Sequence, residues 1–172
     1  ILEKTVGPEH PKLAPILNNL AYLHLLLDDY DIALDMYKRC LLLTEKHYGR
    51  EHPHVAQVLN NMAGLLITRG MHDLSLQSFE RSGAIWENAV GPMHPQVAES
   101  LINQTAMQVL LGQHEKAFAL AHRAQDIDTH FINTIFGALD EHSQTAFLAK
   151  LGWHMEYFFD LALKYHNTSQ SR

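Results

Sequence analysis

The stretch Gly49-Arg50-Glu51-His52-Pro53 recurs with one or two substitutions as Gly7-Pro8-Glu9-His10-Pro11 and as Gly91-Pro92-Met93-His94-Pro95. Successive copies are 42 residues apart, with no insertion or deletion between them. A fixed period of this length is typical of stacked-repeat proteins, in which each unit buries its apolar face against its neighbours. Such an array usually presents a long groove to a partner and rarely builds a catalytic pocket, so the period favours a binding function.

Each repeat carries two helical patterns. The first has apolar residues at i, i+3 and i+4 spacing, which places them on one helix face. In the first repeat this face consists of Leu13, Leu17, Leu20 and Ala21, together with His24. After a polar turn, a second helix is expected from about Asp31 to Tyr48, and its buried side consists of Ala33, Leu34, Tyr37, Cys40, Leu41 and Thr44. We expect Gly49 to end this helix with a positive φ and Pro53 to begin the next one, after an extended His52.

Small residues recur at the positions where two helices must approach closely. The three copies carry them at the same offsets: Ala21, Ala63 and Thr105; Ala33, Ser75 and Ala117; Cys40, Ser82 and Ala124. Because protein interiors are close-packed, a larger side chain at these positions would push the helices apart. All nine are therefore expected to be buried, and Cys40 is interpreted as a buried, inert thiol.

Composition and charge restrict the classes of function. The chain has 172 residues, 47% of them hydrophobic, and a formal net charge of -6. The lack of a Lys/Arg cluster argues against nucleic-acid binding, which needs a basic face. The leucine runs 25–27 and 41–43 are far too short to cross a bilayer. A single cysteine and the lack of a signal-peptide pattern favour the cytoplasm.

Two segments closely resemble the tetratricopeptide repeat: Leu17-Asn18-Asn19-Leu20-Ala21 and Asp29-Tyr30-Asp31-Ile32-Ala33-Leu34-Asp35-Met36-Tyr37-Lys38-Arg39-Cys40-Leu41. The 42-residue period with Glu-His-Pro junctions is similar to the long variety typified by kinesin light chains. The resemblance covers Ile1 to about His130. It implies an all-α fold, a right-handed superhelical solenoid of antiparallel helix pairs with a C-terminal helical cap.

The repeat register predicts how the chain is divided. Ile1–Gly7 aligns with Leu43–Gly49, so the chain is expected to be a fragment that opens on the end of a truncated upstream repeat. The predicted segments are 1–6 as that end; 7–48 and 49–90 as repeats; 91–139 as a repeat with an extended second helix; 140–166 as capping helices or a linker; and 167–172 as a disordered tail.

The resemblance also implies where a partner binds. First helices line the concave face of tetratricopeptide arrays, which points to Asn18, Tyr22, Leu25 and Leu26; Asn60, Gly64, Ile67 and Thr68; and Ile102, Ala106, Val109 and Leu110. The residues favoured for partner contact are Asn18, Tyr22, Leu25, Asn60, Ile67, Thr68 and Val109. Asparagine amides can pair with a peptide backbone as donor and acceptor. The third repeat departs from the pattern, because Ile102 stands where the other two have asparagine.

Two other sets of residues that recur in every repeat are interpreted as architectural. Asn19, Asn61 and Asn103 are expected to bond to the backbone between repeats. His10, His52 and His94 are one repeat apart, too far for a shared metal ion, so packing at helix junctions is favoured over a metal site. No nucleophile arrangement or phosphate-binding loop is recognisable, and neither cofactor nor metal is expected.

The function favoured by these observations is a non-catalytic, cytoplasmic scaffold that binds a protein or peptide in its concave groove, without nucleic-acid or membrane contact. Self-association through exposed end helices is a further option. The alternative rests on Ala124 to Lys164, which resembles the stretch following the repeats in bacterial proteins that end in a CHAT domain, a caspase-like peptidase fold. That resemblance implies a bacterial protein and a regulatory arm of a larger enzyme.

Overall fold

The structure, a computed structural model, describes Gly7 and residues 9–136. Six helices account for most of this part of the chain: α1 Leu13–Leu26, α2 Tyr30–Tyr48, α3 Pro53–Thr68, α4 His72–Val90, α5 Pro95–Leu110 and α6 His114–Phe136. No strand occurs among the described residues, which confirms the all-α helical-repeat fold. The segments predicted for 1–6, 140–166 and 167–172, and the end of the third repeat beyond Phe136, lie outside the described residues.

The chain forms two compact units, Ile1–Gly91 and Pro92–Arg172. The first unit contains the first repeat, α1 with α2, and the second repeat, α3 with α4. The second unit contains α5 packed against α6. Among the helices described, none combines the length and apolar character that a membrane-spanning segment needs.

Hydrogen bonds across the second repeat show how its two helices pair. The Ser75 hydroxyl of α4 donates to the Ala63 carbonyl of α3 at 2.9 Å, and the Ser82 hydroxyl donates to the Ala56 carbonyl at the same distance. Moving seven residues forward along α4 therefore corresponds to moving seven residues back along α3. The two helices are therefore antiparallel. At their crossing the two small serine side chains form hydrogen bonds with the facing backbone, so the helices can approach closely.

The small-residue positions are confirmed as helix contacts. All nine are buried: Ala21, Ala33, Cys40, Ala63, Ser75, Ser82, Thr105, Ala117 and Ala124. In the first repeat the Cys40 thiol donates to the Ala14 carbonyl at 3.1 Å, which is the bond that Ser82 makes to Ala56 one repeat later. Burial raises the pKa of this thiol, since a thiolate would lose its hydration, and the prediction of a buried cysteine is confirmed.

Two of the three junction histidines, His52 and His94, cap helices. His52 is extended, with φ -83° and ψ 142°, and its Nδ1 accepts a hydrogen bond from the backbone N–H of His54 at 3.1 Å. His10 and His94 accept the equivalent bond at 3.2 Å from the residue two positions on. The first backbone N–H groups of a helix have no partner within the helix, so the His52 and His94 rings each satisfy one of them, whereas the His10 ring bonds to Lys12, the residue just before α1. The predicted role at helix junctions is confirmed.

Residues with positive φ end the helices at fixed offsets. Gly49 and Gly91 follow α2 and α4 with φ 90° and 87°, as predicted for Gly49. At the turn inside each repeat, Gly70 and Gly112 have φ 69° and 71°, whereas the equivalent residue of the first repeat is Asp28, at φ 62°. A side chain is disfavoured at such φ values, so the first repeat contains a strained turn that the other two avoid.

The prediction that Leu20 lies on the buried face of α1 is wrong. Leu20 is 38% exposed, and the buried line of the helix consists of Leu13, Ala14, Leu17 and Ala21. Leu13, Ala14 and Leu17 cluster with Cys40, Leu43 and Val58, while Ala21 clusters with Ala33, Tyr37 and Leu65. Helix α1 therefore turns its buried line toward α2 and α3, and Leu20 lies to one side of it.

Candidate protein-binding surfaces

The residues predicted for partner contact differ widely in exposure. Tyr22 is 54% exposed and Thr68 is exposed, both in the first unit. The other five are half-buried: Asn18, Leu25, Asn60, Ile67 and Val109. Leu25 packs against the cluster of Ala21, Ala33, Tyr37 and Leu65, so it stabilises the repeat whatever else it contacts.

Asn18 takes part in an amide pair between successive repeats. The Nδ2 of Asn61 in α3 donates to the Oδ1 of Asn18 in α1 at 2.9 Å. We had expected Asn61 to bond to the backbone between repeats, but it bonds to the Asn18 side chain instead. Asn18 is one of the residues predicted for partner contact. Because an amide has both a donor and an acceptor group, the Asn18 NH2 keeps the capacity to donate to a partner carbonyl.

The Thr68 hydroxyl is directed at its own helix. Its Oγ1 donates to the Leu65 carbonyl at 2.9 Å and lies 3.3 Å from the Gly64 carbonyl. This local bond caps the last turn of α3 and competes with any bond to a partner. Among the predicted residues of the first unit, Tyr22 is the large apolar side chain that is exposed, whereas Leu25 and Ile67 are half-buried.

A concave surface of the first unit lies elsewhere. A groove of about 630 Å³ opens between α2 and α4. Its lining residues are Leu34, Lys38, Leu41, Leu42 and Glu45 from α2; Leu59, Met62 and Leu66 from α3; and Met71, Leu74, Gln77, Ser78 and Arg81 from α4 and its start. We call it the α2–α4 groove. None of the residues predicted for partner contact lines it.

The α2–α4 groove has a buried apolar floor and exposed apolar walls. Leu59 and Leu66 of α3 are almost fully buried, whereas Leu42 of α2 is 66% exposed and Leu74 of α4 is 51% exposed. Because leucines are exposed on both walls, the groove can bury apolar side chains of another molecule. One sequence signal could have indicated it, because Leu42 falls outside the buried positions of the α2 pattern.

An ion pair joins the two walls of the groove. Arg81 Nη2 of α4 lies 2.6 Å from Glu45 Oε1 of α2, and the same nitrogen donates to the Arg50 carbonyl at 3.2 Å. Glu45 is mostly buried, so the pair is partly shielded from water. Since Glu45 and Arg81 compensate each other, Lys38 on the α2 wall leaves the lining with a net positive charge.

Four aromatic rings meet at the junction between the first and second repeats. Tyr48 stacks on His52 with ring centroids 4.7 Å apart, and its edge contacts His47 and His54 at 4.5 and 5.0 Å. The His52 ring is occupied as the helix cap, and His54 Nδ1 lies 3.2 Å from Gln57 Oε1. Among the described residues no group of three or more His, Cys, Asp or Glu side chains is arranged to hold a metal ion.

The fold and its paired, antiparallel helices define an all-α helical-repeat protein. Its sequence matches the tetratricopeptide repeat over residues 12–82 and again over 54–130, so the chain belongs to the tetratricopeptide repeat family. Repeats of this family generally act as scaffolds for protein–protein interaction. Among curated proteins, none matches the sequence significantly.

Solved structures agree with this assignment. BtubC (BKLC) from P. vanneervenii is 30% identical over 73% of this chain, with a TM-score of 0.69. The chain spans only about half, 50%, of the length of that structure. A candidate kinesin light chain from Podosopora anserina with nearly identical TPR-like repeats is 17% identical over 94% of this chain and 77% of its own length, with a TM-score of 0.63. MamA is 14% identical over 98% and 87%, with a TM-score of 0.55. The last two show the fold alone.

Proposed function

We propose that this chain is a protein-binding module that holds an amphipathic helix of its partner in the α2–α4 groove. The observation that supports the proposal is the groove itself, an apolar concavity of about 630 Å³ with leucines exposed on both walls. Its size falls within the ~300–1,000 Å³ typical of binding pockets. Apolar side chains of the partner would cover Leu42 and Leu74, and burial of apolar area supplies the binding energy.

The polar groups of the groove favour a helix over an extended segment. An extended backbone must find partners for its N–H and C=O groups, whereas a helix satisfies them internally. The Ser78 hydroxyl already donates to the Leu74 carbonyl at 2.8 Å, and Glu45 is held by Arg81. Lys38 remains as a cation on the α2 wall, so we expect an acidic residue beside the apolar stripe of the partner helix.

A second surface for the same function is the one that the family resemblance implies. We propose it as the competing site, composed in the first unit of Asn18, Tyr22, Leu25, Asn60, Ile67 and Thr68; Val109 lies in the second unit, and its contact with a partner stays a separate prediction. It would bind an extended peptide, with Tyr22 as the exposed apolar anchor and the Asn18 amide as donor. The two surfaces share no residue, so point substitutions distinguish them.

The test uses a fluorescent helical peptide of about 18 residues, long enough for several turns, with leucines at i, i+4 and i+7 and glutamates flanking them. We expect Leu42→Asp and Leu74→Asp to weaken its binding by about tenfold or more, because each places a charge against the apolar stripe. Tyr22→Asp is the matched control, since Tyr22 is as exposed as Leu74 but lies outside the groove. All three residues are exposed, so the variants should fold, as circular dichroism would show.

A charge exchange sharpens the test. Lys38→Glu should weaken the binding of the acidic peptide. It should strengthen the binding of a second peptide in which lysine replaces each glutamate. If Tyr22→Asp abolishes peptide binding and the groove variants do not, the binding site moves to the first helices. If no variant alters binding, or the peptide does not bind the wild type, the groove proposal is wrong.

The alternative function is a regulatory arm of a larger enzyme, such as a caspase-like CHAT peptidase in a bacterium. It rests on the resemblance at Ala124 to Lys164, and the α2–α4 groove would then hold a segment of the same polypeptide. Under either function we propose a cytoplasmic, non-catalytic role for the repeats themselves. The reading frame that encodes the chain distinguishes the two functions, because only the second requires a peptidase domain downstream.

A further inference from the structure

Three histidine rings surround Tyr48 where the first repeat meets the second. His52 stacks on Tyr48, and His47 and His54 contact the same ring in T-shaped geometry. The ring centroids of His52 and His54 are themselves 4.8 Å apart. We call these four residues the Tyr48 cluster. Because its three imidazoles lie so close together, a proton taken up by one of them disfavours protonation of the others.

The hydrogen bond that caps α3 exists only while His52 is neutral. Its Nδ1 accepts from the backbone N–H of His54 at 3.1 Å, and a protonated imidazole has an N–H on both ring nitrogens and cannot accept. Protonation would also place a positive charge at the N-terminus of α3, where the helix dipole is already positive. Stacking on Tyr48 gives a protonated His52 a cation–π attraction, which offsets only part of these losses.

The carboxylates near the Tyr48 cluster already face cations or water. The charged groups that adjoin the cluster along the chain or through ion pairs are Glu9, Glu45, Lys46, Arg50, Glu51 and Arg81. Glu45 of α2 lies 2.6 Å from Arg81 of α4 and 3.7 Å from Arg50. Glu9 lies 2.6 Å from Lys46, and Glu51 is exposed, so water and salt screen its charge.

The next junction has the same cap without the cluster. His94 Nδ1 accepts from the backbone N–H of Gln96 at 3.2 Å, as His52 does from His54. One period of 42 residues after His47, Tyr48 and His54, the chain has Ala89, Val90 and Gln96. The protein therefore contains one capping histidine with titratable neighbours and one whose equivalent positions carry none.

We propose that the Tyr48 cluster is an acid-sensitive contact between the first and second repeats, which weakens as its histidines take up protons. The cap bond exists only in the folded chain and only with His52 neutral, so the folded chain binds fewer protons than the unfolded one, and stability falls as the pH falls. Arg81 connects this contact to the α2–α4 groove, because it lines the groove and donates to the Arg50 carbonyl, two residues before His52. Weaker binding in the groove at acid pH is the expected consequence, and this second step rests on the function proposed above.

Thermal melts at about pH 7.5 and pH 5.5, on either side of the ~6.5 at which imidazole ordinarily titrates, test the contact. His52→Asn keeps an acceptor at the cap but takes up no proton, since asparagine is a preferred N-cap residue. We expect the loss of Tm between the two pH values to be about 4 °C smaller in this variant than in the wild type. His94→Asn is the matched control, and it should reduce the loss by only about 2 °C, because only a cap is affected there.

A double variant separates the neighbouring rings from the cap. His47→Ala with His54→Gln copies Ala89 and Gln96 into the first junction and leaves His52 in place. It should reduce the loss of Tm by about 2 °C, since the protonated His52 then has no charged ring beside it. The other histidines of the chain are the same in all these proteins, so their titration cancels in each comparison with the wild type.

The fluorescent helical peptide tests the step to the groove. Its affinity for the wild type should fall about threefold from pH 7.5 to pH 5.5, and its affinity for His52→Asn should change by less than about 1.5-fold. A pH-independent affinity for the wild type would overturn the step through Arg81. A peptide that binds at neither pH would contradict the proposed function instead, and the melts alone would then decide on the contact.

Two results of the melts would overturn the proposal. One is an equal effect of His52→Asn and His94→Asn, which would show that the cluster adds nothing to an ordinary cap. The other is a double variant as acid-sensitive as the wild type, which would show that the rings of His47 and His54 do not act on His52.

Discussion

The first and second repeats have the same pattern, yet equivalent leucines lie in opposite environments. Leu23 of α1 is 53% exposed, whereas Leu65 of α3 is fully buried. The residue type and the position within the repeat are identical, and among the described residues a preceding repeat packs against α3 but not against α1. Burial in this chain is therefore a property of the interface between repeats as much as of the amphipathic helix. Hydrophobic periodicity alone cannot tell which apolar residues are buried.

The largest difference in stability should appear when each of these two leucines is truncated to alanine in a separate variant. Leu65→Ala is expected to lower the free energy of unfolding by about 2–5 kcal/mol, through lost apolar contact and a residual cavity. Leu23→Ala should cost less than about 1 kcal/mol, because water already reaches that side chain. Urea denaturation of the two variants measures the difference. Equal losses would mean that the two repeats do not differ as the structure describes.

The next effect tests the close approach of helices within the first repeat. Ala33 is fully buried in the cluster with Ala21, Tyr37 and Leu65, so Ala33→Leu should cost about 1–3 kcal/mol by overpacking. Ile32→Leu, at the exposed neighbouring position, should change the stability by less than about 0.5 kcal/mol. Thermal melts of both variants provide the measurement. A wild-type melt for Ala33→Leu would place the helix contact elsewhere.

The features that could be predicted from the sequence are those set by local rules. A 3.6-residue period requires a helix and a proline requires the extended His52 before it. A small residue at the same offset in three repeats requires a close crossing. The bounds of α2, the nine buried small residues and the extended His52 follow from these rules. Each of them depends on residues within one repeat or on its repetition.

The features that could not be predicted depend on how separate helices lie beside one another. The pairing of Asn61 with Asn18 joins residues of two repeats, and no local rule selects a side-chain partner over the backbone. The α2–α4 groove is formed by three helices, and the sequence indicates only an unused leucine, Leu42. The exposure of Leu20 follows from which line of α1 faces α2 and α3.

The smallest change in stability at neutral pH is expected from a substitution at Tyr37, whose equivalent in the second repeat is Phe79. Both side chains are buried, but the Tyr37 hydroxyl has no hydrogen-bond partner among the described residues. A buried hydroxyl without a partner contributes nothing to offset its lost hydration. Tyr37→Phe, which copies the second repeat into the first, should therefore be neutral or stabilise the fold by up to about 1 kcal/mol at pH 7.

At alkaline pH the stability of the wild type and that of the Tyr37→Phe variant should differ more clearly. Burial raises the pKa of Tyr37 to about 12, from an ordinary value of 10.0. The folded protein then holds the Tyr37 proton at pH values where the unfolded chain has lost it. The contribution of this group to the free energy of unfolding is therefore fully present below pH 10 and is lost as the pH rises toward 12. Urea midpoints between pH 9 and 11.5 should fall less steeply for Tyr37→Phe than for the wild type. Tyr22→Phe, at an exposed position, should follow the wild-type curve. Identical curves for all three proteins would show that the Tyr37 hydroxyl is hydrated, and that the first repeat is not closed around it as the second is around Phe79.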